Sequence, residues 1–253
     1  MDLNLKGKVA IVTGGASGLG AAISEVLASE GALVVVNYIM DEANTFKFVD
    51  SLNEKYNTKV IPLFGDITKA TDVDNVIART IDIFGKIDIL VNNAGTWPTA
   101  YVKDMTDEEW DKTVKINLTG PFLFSKRVVQ HLLNRKSKGK IINIVSQAAF
   151  HGSTTGHAHY AAAKGGVLTF TYSLSKEVAA DGITVNGVAP GMMRTPMNAK
   201  ELADHEEDYI KRIPMRRISD PMEVAHSVAF LASDKADYIT GTILNVTGGM
   251  VMR

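Results

Sequence analysis

Short, continuously apolar, β-branched runs alternate along this chain with longer stretches whose apolar residues recur at helical spacing. The strand-like runs cover 9–13, 33–37, 59–64, 88–92, 140–145, 183–189 and 242–246. Most are apolar at consecutive positions rather than alternate ones, which predicts strands buried on both faces. The helical pattern fills 18–30, 41–56, 70–84, 107–135, 158–180 and 221–232. Gly120-Pro121 is expected to kink or divide the fourth of these, because proline cannot donate to the helical ladder. Strands separated by helices imply right-handed crossovers and a parallel sheet. There is no internal repeat and no Pro/Ser-rich linker. The expectation is therefore an α/β fold: one doubly wound domain over 1–253, with a seven-stranded parallel sheet and helices on both faces. Ligands of such sheets bind beyond the carboxyl ends of the strands.

Composition narrows the functions. Apolar residues make up 45% and charged residues 22%, as in an ordinary globular protein. A net charge of -1 gives no global field for nucleic acid or an acidic membrane. The absence of cysteine excludes disulfides, thiolate metal sites and thiol catalysis. No apolar run reaches the roughly 20 residues that span a bilayer, and the N-terminus has no signal core. A cytoplasmic protein is expected, with neither nucleic acid nor membrane as a partner.

The strand ends carry the candidate chemistry. After the first run comes Gly14-Gly15-Ala16-Ser17-Gly18-Leu19-Gly20, followed by a helix. Glycines there allow a tight turn and close approach of a pyrophosphate, and the helix N-terminus offers free N–H groups. A glycine-rich strand-to-helix turn with no ligand would look the same. The second run ends at Asn37, where an acidic residue would bind an adenosine ribose and disfavour a 2′-phosphate. Asn37, a candidate cofactor contact at that place, neither repels nor attracts such a phosphate, and Tyr38, Ile39, Ala16 and Ser17 carry no charge, while Asp41 and Glu42 follow closely. This leaves NAD or NADP as cofactor, with NAD favoured, and Asn37 as a simple strand end is the competing reading. Asp66, followed by Ile67, is placed either to accept from an adenine amino group or to cap the helix starting near Lys69. Asn92, Asn93, Ala94 and Gly95 follow the fourth run, with Asn92 equally suited to tying strands together.

The fifth run leads into Ser146, and Tyr160 and Lys164 follow on one helix face, four residues apart. With these residues in place, the chain resembles the short-chain dehydrogenase/reductase family from Lys8 to Gly249. The ordered set is Thr13-Gly14-x-x-x-Gly18-x-Gly20, Asp66, Asn92-Asn93-Ala94-Gly95, Asn117, Ser146, Tyr160-x-x-x-Lys164, and Pro190-Gly191 followed by Thr195. The resemblance implies a Rossmann-type fold and an NAD(P)-dependent oxidoreductase that interconverts an alcohol and a carbonyl. It implies a tetrad of Asn117, Ser146, Tyr160 and Lys164, with Thr195 at the nicotinamide carboxamide, and a homotetramer. Without it, Asn117 reads as a polar residue that distorts its helix and is satisfied locally.

The chemistry is consistent with those roles. Hydride transfer requires a proton to move at the substrate oxygen. A tyrosine titrates near 10, too high for a base at neutrality. An ammonium ~4.5 Å away supplies about 3.7 kcal/mol at an effective dielectric of about 20, but only ~0.9 in bulk water. Lys164 is thus expected to activate Tyr160 only in a partly desolvated cleft.

The substrate is read from the loops. Residues 147–159 carry His151, His157 and His159, expected to be loop or pocket residues and not metal ligands, since no Asp, Glu or Cys completes a set. Trp97, Phe150, His157 and Met192 are candidates for the pocket wall, although Trp97 and Met192 suit core or lid packing as well. The Met- and charge-rich stretch 192–213 is expected to be a mobile lid. Within the family the chain resembles 3-oxoacyl carrier-protein reductases and sugar or polyol dehydrogenases. The former tend to carry arginines where this chain has Gln130 and Lys176, with only Arg135, Lys136 and Lys138 as basic charge nearby. A small free alcohol or ketone is therefore the expected substrate. A carrier-protein thioester, or a dinucleotide-binding regulator without turnover, is the alternative.

Overall fold

The seven apolar runs form β1 (Val9–Val12), β2 (Leu33–Tyr38), β3 (Val60–Phe64), β4 (Ile89–Asn92), β5 (Gly139–Ile144), β6 (Ile183–Pro190) and β7 (Ile243–Val246). The structure is a computed structural model and describes residues 2–153 and 155–252. All strands pair in parallel, in the order β3-β2-β1-β4-β5-β6-β7. The runs are continuously apolar because the sheet is covered on both faces. Ala10 and Val12 of β1 and Val34 and Val36 of β2 enter one core, while Ile11 and Val35 between them enter the other. This is the two-residue alternation of a strand, with apolar demand on each side.

The first core is roofed mainly by α1 (Gly18–Ser29) and α9 (Pro221–Ala232), with Val49 and Leu52 of α2 (Glu42–Lys55) at its edge. The second is roofed by α3 (Ala70–Phe84), α5 (Gly120–Arg135) and α7 (Ala158–Val178), through residues such as Val76, Phe124, Leu132 and Leu174. The chain leaves β1 towards β2 and β3, then crosses back to place β4 on the other side of β1. The crossovers diverge there, which opens a crevice beyond the carboxyl ends of β1 and β4.

The stretch 107–135 departs from expectation in an informative way. It begins as α4 (Asp107–Val114), widens into a π-helical turn over Lys115–Thr119, and continues as α5. Pro121 has no N–H to return to Asn117, so the ordinary ladder is lost one turn before the proline itself. Glycine at 120 makes room for a neighbour: a Cβ there would stand 2.6 Å from Ile67 Cδ1, and the isoleucine would have to shift. The loop after β5 contains a short helix, α6 (Ala148–His151), and the stretch after β6 contains α8 (Ala199–Arg212), bent at His205. Neither was legible from periodicity.

Candidate active site

The turn from β1 into α1 is built by steric necessity. Gly14 and Gly18 adopt positive φ of 59° and 50°, which costs a glycine little. A Cβ on Gly20 would stand 2.0 Å from the Gly14 carbonyl oxygen and 2.6 Å from Asn93 Nδ2. Asn93 closes the arrangement: its Nδ2 donates to the carbonyls of Thr13 (2.9 Å) and Gly14 (3.2 Å). Thr13 Oγ1 accepts from the backbone N–H groups of Asn93 and Ala94. The loops after β1 and β4 are thus one unit. Ser17 stands at the N-cap of α1, but its side chain makes no capping bond. The first-turn N–H groups therefore receive no capping oxygen, which is the donor set a pyrophosphate needs.

These residues line a crevice of about 830 Å³. Gly14, Ser17, Gly18, Leu19, Gly20, Asn37, Asp66, Ile67, Asn93, Ala94, Gly95, Asn117, Tyr160, Lys164 and Thr195 all reach it. Its length and bare glycine floor fit a dinucleotide. At one end, β2 runs one residue beyond the expected strand end, to Tyr38. The Asn37 side chain is turned to the sheet, donating to the carbonyls of Leu63 (3.3 Å) and Gly65 (3.0 Å). Asp66 accepts from the backbone and hydroxyl of Thr68, so it closes that turn rather than capping α3. Tyr38, Ile39 and Met40 complete this end without charge, and Tyr38 donates to Glu42 at 3.1 Å. Lys112, Lys115 and Ile116 of the α4–π junction form part of the wall as well. Their i, i+3, i+4 spacing just before Asn117 was the available signal for them.

Asn117 is fully buried and held by three bonds: Nδ2 donates to Thr113 and Thr96 carbonyls at 3.0 Å each, and Oδ1 accepts from Thr96 N–H at 3.2 Å. It pins the loop after β4 to the widened helical turn. Asn92 belongs to a separate buried chain, Ser125–Asn92–Asn143–Thr171, that ties strands to helices. Ser146 is not part of the crevice wall, yet its hydroxyl bonds to Tyr160 and accepts from Ala148 N–H. Lys164 is 3% exposed, and its Nζ donates to the Ile144 carbonyl at 2.7 Å.

Burial acts on both members of the Tyr160–Lys164 pair. Burial raises the Tyr160 phenol above its ordinary range, and the bond to Ser146 only partly opposes that. Burial also lowers the Lys164 ammonium to about 8. The Lys164 Nζ lies over the tyrosine ring, 5.9 Å from its centre, and spends its short bond on a carbonyl. Desolvation is present as required, but it weighs against both charged forms at once.

The expected substrate residues separate into three places. Trp97 and His157 stack on one another at 4.2 Å and 23°, and His157 Nδ1 lies 2.8 Å from the Pro98 carbonyl. A carbonyl only accepts, so Nδ1 carries the hydrogen. Phe150 lines a second cavity with Leu168, Tyr172 and Asn245, away from the crevice. Met192 packs with Leu202, Tyr209 and Ile213 beneath α8. Pro190 ends β6, and a Cβ on Gly191 would stand 2.9 Å from Thr247 Cα, so this pair sets the course of the chain towards Thr195. His159 is fully enclosed, and neither ring nitrogen has a partner among the described residues. Among those residues no group of three or more His, Asp or Glu is placed to hold a metal, and no helix is long and apolar enough to cross a membrane.

Comparison with known proteins agrees with this geometry. A family model described as enoyl-(acyl carrier protein) reductase, of the short-chain alcohol dehydrogenase type, matches residues 14–251. A 3-oxoacyl-[acyl-carrier-protein] reductase of Vibrio cholerae is 43% identical over 99% of this chain and 100% of its own length. The reductase of that name from Escherichia coli is 39% identical over 99% of this chain and 100% of its own. The crystal structure of a putative gluconate dehydrogenase from Agrobacterium tumefaciens superposes with a TM-score of 0.93 at 31% identity, covering 100% of both chains. The chain is thus an NAD(P)-dependent oxidoreductase acting on CH–OH groups and a member of the short-chain dehydrogenase/reductase family.

Proposed function

We propose that this protein reduces the 3-keto group of an acyl thioester to the alcohol. The observation that carries this reading is end-to-end identity of 37–43% with reductases bearing that name. The glycine turn and Thr195 would hold the cofactor, whose nicotinamide supplies or takes up the hydride. Tyr160 gives its proton to the carbonyl oxygen as the alcohol forms, and its raised pKa suits it to be the acid at neutral pH. Ser146 donates to the same oxygen and stabilises the charge developing on it. Lys164 holds the ribose side of the site. Asn117 fixes the turn beside it. Residues 192–213 serve as a lid over the bound substrate within one single-domain unit, and Trp97 and His157 stand near its approach.

NAD is proposed as the preferred cofactor. The crevice end at Ser17, Asn37, Tyr38, Ile39 and Met40 offers no cation to a 2′-phosphate, and the Glu42 carboxylate stands one hydrogen bond from Tyr38. A cytoplasmic homotetramer fits the family, with the exposed Phe122, Leu133 and Tyr172 of α5 and α7 as the faces to be covered.

A second reading, oxidation or reduction of a small free alcohol or ketone, is favoured by Gln130 and Lys176 in place of paired arginines. The test is steady-state turnover with NADH and NADPH against acetoacetyl thioesters of carrier protein and of coenzyme A, beside a panel of polyols, sugars and steroids. Thioester turnover at least tenfold above the panel supports the first reading. Turnover confined to the panel replaces it with the second. Nucleotide binding without any turnover favours a regulator.

A further inference from the structure

Asn198 makes four short contacts around the residue proposed to meet the nicotinamide. Its Oδ1 accepts from the Thr195 backbone N–H at 3.1 Å and from Thr195 Oγ1 at 2.8 Å. Its Nδ2 reaches the Met193 carbonyl at 2.7 Å and Met192 Sδ at 2.9 Å. Asn198 is 8% exposed and closes the one-turn helix Pro196–Asn198 that leads into α8.

The sense of this amide is fixed by its partners. The Met193 carbonyl can only accept, so the NH2 group faces it; the Thr195 N–H can only donate, so the oxygen faces that. An amide oxygen has no hydrogen to give. The 2.8 Å contact with Thr195 therefore requires the threonine hydroxyl to be the donor. Its hydrogen is committed to Asn198, and only lone pairs remain for a ligand. Thr195 also sits across the crevice mouth: its Cβ is 3.4 Å from where a side chain on Gly18 would begin.

We infer that Asn198 is a positioning residue that turns Thr195 into an obligate hydrogen-bond acceptor towards the nicotinamide carboxamide NH2. The inference rests on the reading of Thr195 as the carboxamide contact. It adds the polarity of that contact and the residue that sets it. The same amide ties the polarity to the Met192–Met193 backbone, where α8 joins β6.

The experiment compares binding of two reduced cofactors to the full chain by cofactor fluorescence: NADH and reduced 3-acetylpyridine adenine dinucleotide, which lacks the amide NH2. A single neutral hydrogen bond predicts that the native protein binds NADH roughly 3–10-fold tighter. In Asn198→Ala the freed hydroxyl can rotate and donate to either ring substituent, so the preference falls to about twofold or less. Asn198→Asp keeps an acceptor for Thr195 and retains the preference; its second oxygen opposes the Met193 carbonyl and weakens both cofactors alike, so the ratio between them keeps the test decisive if the alanine variant folds poorly. Thr195→Val removes the preference, and adding Asn198→Ala to it changes nothing further. If the native protein does not distinguish the two cofactors, the Thr195 reading fails and the inference with it. If it does, and Asn198→Ala distinguishes them equally well, the role of Asn198 alone is overturned.

Discussion

Replacing Lys164 with methionine, an unbranched neutral side chain of similar length, should make the protein more stable while removing its activity. Lys164 is 3% exposed, and burial lowers its ammonium to about 8 from the ordinary 10.5. Between these values the unfolded chain binds more protons than the folded one, so stability of the native protein rises with pH across that window. At pH 7 both states are protonated, and the folded state carries the full burden of a buried charge. That burden is about 3.5 kcal/mol, the fall from 10.5 to about 8 at about 1.4 kcal/mol per pH unit. At pH 9.5 the folded amine is largely neutral, and about 1.4 kcal/mol remains. The substitution also forfeits the bond to the Ile144 carbonyl, worth roughly 1 kcal/mol. Lys164→Met should therefore gain about 2.5 kcal/mol at pH 7 and under about 1 kcal/mol at pH 9.5. Urea denaturation of both proteins at the two pH values measures the difference. A stability change that is equal at both, or a variant less stable at pH 7 than at pH 9.5 relative to native, refutes the argument. Turnover should be lost at either pH.

Tyr160→Phe should leave NADH affinity within about threefold while lowering kcat by roughly 10²–10⁴, the usual span for a positioned acid/base; full activity would sink its assignment. Gly20→Ala places a methyl 2.0 Å from the Gly14 carbonyl, so the β1 turn must move: NADH affinity should fall more than tenfold in fluorescence titration, alongside a lower thermal midpoint. Burial lowers the His159 pKa below 6.5, so its contribution to stability is complete above pH 6.5 and is lost as pH falls from there through the lowered folded value. His159→Leu should flatten the decline in unfolding free energy between pH 7 and pH 5, and an unchanged slope would place the acid sensitivity elsewhere. Phe124→Ala, in the core beneath α5, should cost about 3–5 kcal/mol in urea denaturation.

Much of the site was legible because its parts sit at strand ends, and the strands announce themselves. Continuous apolar runs located all seven to within a residue or so at each end, and the residues following them supplied the glycine turn, Asp66 and Asn93, while Tyr160 was marked by its helical spacing to Lys164. Other parts were hidden because their signal depends on a partner far away in the chain. The π-helical turn results from Pro121 together with the bonds that hold Asn117 to Thr96, and neither appears in a hydrophobic pattern. Helix α8 was missed for a related reason: only Leu202 and Tyr209 on it are buried, so too few apolar positions mark its face.

The sequence alone therefore determined the layered α/β architecture, because burial on both faces of a sheet demands short, β-branched, continuously apolar runs, and these alternate with longer helical patterns. It also determined which residue types stand at the carboxyl edge. Only the tertiary structure decided what those residues do there. Asn37 turns into the sheet because the carbonyls of Leu63 and Gly65 are within its reach, Phe150 faces a different cavity, and Thr195 acquires one hydrogen-bonding polarity from Asn198. The charge states of Tyr160 and Lys164 were decided there as well. Their spacing puts them on one helix face, but the sign of each shift comes from how much water the surrounding loops and strands exclude.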